Sequence, residues 1–166
     1  MFGGATCTQP TTSTLELNIM SATYDYTPIF TLKMVRNRSV KVAHKVSDQS
    51  MAARVLMSYF ATVPNEQLVC LFLDGNHNLL GLSVVATGGI SGLHIRPRDI
   101  FQYALIARAS GIILSHNHPS SSLEPSHEDI TFNDKVKEIG EALGCPLLDH
   151  IIVSSGIHKG YRSFMA

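Results

Sequence analysis

Apolar and polar residues alternate along this chain in two different periods, and the switches between them outline the elements. Residues 29–35 and 40–43 are short apolar runs parted by Arg36-Asn37-Arg38-Ser39, the pattern of two strands and a turn. Ser47-Asp48 then offers a helix start. Ala52, Val55, Leu56, Tyr59 and Phe60 follow at helical spacing, so a helix is expected to about Ala61, ahead of Pro64-Asn65. Residues 67–73 are almost continuously apolar, as in a strand covered on both faces. The turn 74–78 leads to a second strand over 79–86. Beyond the glycine-rich stretch 88–92, Pro97 opens a helix whose inner face is expected at Ile100, Phe101, Ala104 and Leu105, with Gly111 closing it.

A short strand, Ile112-Ile113-Leu114, comes next. Ser126 starts another helix, with Ile130, Asn133, Val136, Ile139 and Leu143 along one side and Gly144 at its end. Strands over 147–153 and 160–164 finish the chain. No internal repeat is present. The pattern is α+β, with layers resembling α/β: a mixed sheet flanked by about three helices. Residues 1–27 are rich in Gly, Ser and Thr and are expected to form a flexible leader, leaving 28–166 as one domain.

Composition narrows the class further. A chain of 166 residues can bury about 68–70% of its unfolded surface, so it needs neither metal nor disulfides to fold. Cys7, Cys70 and Cys145 are widely spaced and form no CxxC pair, which argues against a disulfide framework and against a Cys-ligated zinc. Cys70, inside an apolar run, is expected to be a small core residue. Formal net charge is zero, with no basic block, so charge gives nucleic-acid binding no support beyond a local pair such as Arg96 and Arg98. No apolar run approaches the roughly 20 residues of a membrane span, and the N-terminus lacks a secretory pattern. A cytoplasmic protein without a membrane partner is the expectation. Apolar edge strands are compatible with a homodimer.

The candidate chemistry lies in Ser115-His116-Asn117-His118-Pro119 and Pro125-Ser126-His127-Glu128-Asp129. Strand alternation points His116 and His118 the same way. Neutral imidazoles are good zinc ligands. Asp129 falls three residues after the helix cap Ser126, where a rigid first turn can offer its carboxylate as a third ligand. Two histidines and a carboxylate leave a fourth tetrahedral position to water, the open form of a catalytic zinc site, whose water has a pKa near about 7. Hydrolysis then needs a base. Glu66, at the start of a buried strand, is the best candidate, but spacing alone does not separate it from Glu124, Glu128 and Asp149. Ser126 suits an oxyanion donor, since a hydroxyl can cap a helix as acceptor and still donate. Each part has a plainer reading too: a His-x-His pair is often structural, and Ser126 with Asp129 is a capping pair. The string His-Asn-His does not point to the nucleases of that name, which disperse those residues along a ββα unit.

His116-x-His118, seven residues, Ser126, two residues and Asp129 together resemble the JAMM (MPN) metalloprotease pattern. More narrowly, His116-Asn117-His118-Pro119-Ser120 with Glu124-Pro125-Ser126 and Asp129-Ile130 resembles the bacterial RadC family. Glu66 with the strand to Leu73-Asp74, residues 95–100, and Leu148-Asp149-His150-Ile151-Ile152-Val153 are similar to further stretches of that family, covering about 28–165 in order. The resemblance implies the JAMM/MPN, cytidine-deaminase-like, fold. It implies one zinc per chain on His116, His118 and Asp129, with Glu66 as general base and Ser126 on the oxyanion side. It also implies hydrolysis of a peptide or isopeptide bond in an unidentified peptide or protein substrate. The chain departs from the family in having Ser121-Ser122 where Gly-Asp is usual, and it shows no helix-hairpin-helix region of the kind associated with DNA binding. A non-catalytic interaction module and a DNA-repair-associated factor are the competing expectations.

Overall fold

The computed structural model describes residues 45–88, 95–118, 122–154 and 160–165. The strands expected over 29–35 and 40–43, and the leader over 1–27, lie outside the described residues.

The elements follow in the order α1 (Gln49–Phe60), β1 (Gln67–Leu73), β2 (Leu79–Thr87), α2 (Pro97–Ile106), β3 (Gly111–His118), α3 (His127–Ala142), β4 (Leu147–Ser154) and β5 (Gly160–Ser163). The strands make one mixed sheet in the order β2-β1-β3-β4-β5. Among the described strands only the β3–β4 pair is parallel, with α3 as its crossover. Among the described residues the expected α+β architecture, a mixed sheet with three helices, is the observed one.

Strand alternation divides the core into two layers. Val69, Leu71 and Leu73 of β1, Ile113 of β3 and Ile151 and Val153 of β4 pack against Ala52, Val55, Leu56, Tyr59 and Phe60 of α1. Their neighbours Cys70, Phe72, Ile112 and Leu114 pack on the other face against Ile100, Phe101 and Ala104 of α2 and Val136 of α3. Both layers draw on β1 and β3, which explains why those strands read as continuous apolar runs. Cys70 belongs to this core, as expected, and burial pushes its thiol well above the usual range.

The helix starts are where the sequence puts them. Asp48 caps α1, accepting from the Met51 amide, and Pro97 opens α2. Two inner faces differ from expectation. Leu105 of α2 is half exposed, and the helix stops at Ile106 because Arg108 takes a left-handed conformation (φ 54°); Gly111 begins β3 rather than closing the helix. On α3 the buried residues are Asp129, Asn133, Val136 and Gly140, whereas Ile130 and Leu143 face solvent. The helix is rotated toward its polar side, and that rotation brings a carboxylate under the sheet. β3 is also longer than Ile112–Leu114 and carries both histidines within its hydrogen-bonded length. No helix among the described residues is long and apolar enough to cross a membrane.

Candidate metal centre

The end of β3 and the start of α3 meet on one face of the sheet. Ile112, Leu114, His116 and His118 alternate onto the face covered by α2 and α3, and Asp129 lies in the first turn of α3, three residues after its cap Ser126. One donor atom each from His116, His118 and Asp129 lie within 4.8 Å of one another. His116 Nε2 is 2.9 Å from His118 Nε2 and 3.6 Å from Asp129 Oδ1. A tetrahedral zinc with bonds of about 2.0–2.2 Å sets its ligand atoms roughly 3.3 Å apart, and the two separations bracket that value. The donor set, two imidazole nitrogens and a carboxylate oxygen, fits a divalent zinc.

Each donor is held through its other polar atom. Asp129 Oδ2 accepts from both the amide and the hydroxyl of Ser126, each at 2.8 Å, which turns Oδ1 toward His116. His118 Nδ1 lies 2.9 Å from the Ser122 carbonyl, an acceptor that fixes its proton on Nδ1 and bares Nε2. His116 Nδ1 lies 3.0 Å from His150 Nε2. Burial, opposed by the Asp129 carboxylate and reinforced by His118, brings the His116 pKa down to about 4, so the ring is neutral at physiological pH. A neutral imidazole is the form that binds metal.

Ser126 caps α3 as expected, accepting from the Asp129 amide at 3.1 Å. Its proton, however, is directed at Asp129 Oδ2, so donation to a substrate requires the hydroxyl to turn. Glu66 stands half-buried just before β1, with its carbonyl accepting from the Gly88 amide at 2.8 Å. Leu68 pairs with His116 across the antiparallel β1–β3 ladder. Glu66 lies one residue before β1, and the strand's alternation, continued back from Leu68, would put its side chain on the histidines' face. The competing carboxylates are placed elsewhere. Asp149 is buried on the α1 side, where it accepts from Ser163 Oγ and Gln49 Nε2. Glu124 is exposed and paired with Arg162. Glu128 is exposed on the first turn of α3. Arg96 and Arg98 both pair with Asp99, which offsets the local positive charge there.

Two residues of this neighbourhood carried no expected role. His150 is fully buried on β4, stacks on Phe164 with ring centroids 4.5 Å apart, and has no partner for Nδ1 among the described residues. Asn117, between the two histidines, is also fully buried. The signal for both was present: a polar side chain inside an apolar strand must find a partner.

Comparison with known proteins agrees with the resemblance read from the histidine segment. The family described as RadC-like JAB domain matches residues 46–166. A UPF0758 protein of Aquifex aeolicus (strain VF5) is 41% identical over 97 residues, 58% of this chain and 42% of that protein. A UPF0758 protein of Carboxydothermus hydrogenoformans is 46% identical over 88 residues, 53% of this chain and 39% of that protein. One from Streptococcus thermophilus (strain ATCC BAA-491 / LMD-9) is 32% identical over 130 residues, 78% of this chain and 57% of that protein. The chain spans about half the length of the curated relatives it matches.

Proposed function

This chain belongs to the RadC-like JAB domain family, and we propose that it is a zinc-dependent hydrolase of peptide or isopeptide bonds. His116, His118 and Asp129 hold the metal, Glu66 is the general base and Ser126 the donor to the oxyanion. The observation that carries this reading is the convergence of three donor atoms within 4.8 Å at a strand end and a helix start.

When bound, zinc supplies Lewis acidity, which acidifies a water and polarises a carbonyl. The chain's own groups do the rest. Glu66 takes the proton of the attacking water on its carboxylate and passes it to the leaving nitrogen. Ser126 Oγ turns its proton from Asp129 Oδ2 to the developing oxyanion, while the Ser126 amide keeps Asp129 in place. The Ser122 carbonyl and His150 hold the two imidazoles so that neither ring reorients during turnover. The substrate is a peptide or a protein.

The test pairs metal analysis with hydrolysis of a peptide and isopeptide panel, for wild type, His118→Ala and Glu66→Gln. Wild type and Glu66→Gln should each hold one zinc per chain and His118→Ala none. Glu66→Gln should lose about 10²–10⁴-fold in rate. A stoichiometrically zinc-loaded wild type that cleaves nothing across the panel would sink the proposal. So would a Glu66→Gln protein of undiminished activity.

A further inference from the structure

Asn117 sits between the two histidines in sequence but on the other face of the sheet, toward α1. Its carboxamide is used at both ends. Oδ1 accepts from the Gln67 amide at 2.8 Å, and Nδ2 donates to the Asn65 carbonyl at 3.2 Å. These two peptide groups flank Glu66. The Glu66 carbonyl is itself held by the Gly88 amide at 2.8 Å, and the Gln67 side chain accepts from Tyr59 Oη at 3.0 Å.

We infer that Asn117 is the positioning residue for Glu66, fixing the base against the metal site by clamping the peptide groups on either side of it. This rests on the reading of Glu66 as the general base. The β1–β3 register runs from Leu73↔Gly111 to Leu68↔His116. Glu66 therefore lies at the end of the ladder, where a chain ordinarily frays. The carboxamide takes the place of further ladder bonds. Because it projects from the residue between His116 and His118, the restraint on the base is referenced to the same three residues that present two of the ligands. Catalytic groups must be held within about 0.5 Å, and a misplacement of about 1 Å can lower a rate about 10²-fold.

The residue type follows from the task. An amide side chain offers an acceptor and a donor together at every pH, whereas a carboxyl of the same length donates only when protonated. Aspartate keeps the acceptor for Gln67 and loses the donor for Asn65. Leucine fills the space and loses both, stranding two backbone groups.

The experiment uses the whole chain loaded with Co²⁺ in place of zinc and labelled with ¹³C at the glutamate carboxyls. The pseudocontact shift of Glu66 reports where its carboxylate sits relative to the metal, and hydrogen exchange of the Gln67 amide reports the clamp. Asn117→Ala and Asn117→Asp should both still bind one metal per chain. In Asn117→Ala, Gln67 exchange should speed by about 10-fold, with a smaller change in Asn117→Asp. The Glu66 shift should shrink toward an averaged value in both variants, while the Glu128 carboxyl signal in the first turn of α3 and the exchange of the Leu71 amide stay as in wild type. A general loosening of the sheet would speed Leu71 exchange as well. Where a cleaved peptide is in hand, Asn117→Ala should lower kcat with KM unchanged, and add nothing in a Glu66→Gln background. A Glu66 shift identical to wild type in both variants overturns the inference. A wild-type protein whose Glu66 carboxyl feels no Co²⁺ at all overturns the base assignment instead, and the positioning role with it. Should Asn117→Ala fail to fold, Asn117→Asp decides alone.

Discussion

His116 Nδ1 lies 3.0 Å from His150 Nε2, and both rings are fully buried. For His116 to offer Nε2 to a metal, its proton must sit on Nδ1 and be donated to an unprotonated Nε2 of His150. His150 then carries its own proton on Nδ1, the atom with no partner among the described residues. Metal binding thus selects one tautomer of each ring. Replacing His150 with leucine removes the acceptor and leaves the His116 N–H unpaired, a penalty of about 1–3 kcal/mol on the metal-competent tautomer. His150→Leu should therefore weaken zinc affinity about 10–100-fold while the protein remains folded. Competition against a chelator of known affinity measures this directly. Unchanged affinity would mean that His150 serves packing against Phe164 alone.

Asp129 joins folding to metal binding, because its Oδ2 completes the cap of α3 and its Oδ1 faces His116. Zinc at 100 times its dissociation constant should stabilise the wild type by about 2.7 kcal/mol. Asp129→Ala should abolish that gain and also lower metal-free stability modestly, through the lost Ser126 amide partner. Ser126→Ala should cost about 1 kcal/mol through the missing cap and retain the zinc-dependent rise. Melting curves with and without zinc separate the two effects. A zinc-dependent rise that survives in Asp129→Ala would remove the aspartate from the ligand set.

Metal-free stability should fall in mild acid. Burial, opposed by Asp129 and reinforced by His118, holds His116 down to about 4 from its ordinary 6.5. Burial, and then the charges of His116 and His118, hold His150 below its ordinary value as well. Between about 4 and 6.5 the unfolded chain therefore binds more protons than the folded one. The stability contributed by a neutral His116 is complete above that window and is lost as pH falls through it. The limiting slope is about 1.4 kcal/mol per pH unit for each such group. Urea midpoints measured between pH 7 and pH 4 should drop accordingly, and His150→Leu should flatten the slope. A midpoint constant over that range would show that the rings gain compensating partners when protonated.

How legible the molecule is in its sequence differs between strands and helix faces. The run of seven apolar-dominated residues ending at Leu73 marked β1 at its observed bounds, because a strand buried on both faces carries no polar interruption. Pro97 and Ser126 marked helix starts, because their chemistry is local. His116, His118 and Asp129 were assembled from strand alternation and first-turn geometry, both short-range rules. Glu66 was not separable from Glu124 or Asp149 on spacing. Its side of the sheet depends on the pairing of Leu68 with His116, some 48 positions away. The roles of Asn117 and His150 are non-local for the same reason, since each depends on a neighbouring strand.

Helix α3 shows where apolar periodicity misleads. Ile130 and Leu143 belong to the expected inner stripe, yet both are exposed, and the buried line is Asp129, Asn133, Val136 and Gly140. A β-carbon at Gly140 would come within 2.8 Å of the Cys145 carbonyl and 3.2 Å of the Phe101 ring. The missing side chain lets the helix lie close to the α3–β4 connection and α2, with Asp129 turned inward. The stability of the helix should therefore follow the observed line. Ile130→Gln should change stability by no more than about 0.5 kcal/mol. Val136→Ala should cost roughly 1–3 kcal/mol as a buried deletion. Gly140→Ala should destabilise by a similar amount, through forced displacement rather than lost burial. It should also weaken zinc binding, because any rotation of α3 moves Asp129 away from His116. Urea titrations with a parallel zinc affinity measurement test both halves. If Ile130→Gln proved as costly as Val136→Ala, the expected stripe would be the true inner face and Asp129 could not sit beneath the sheet.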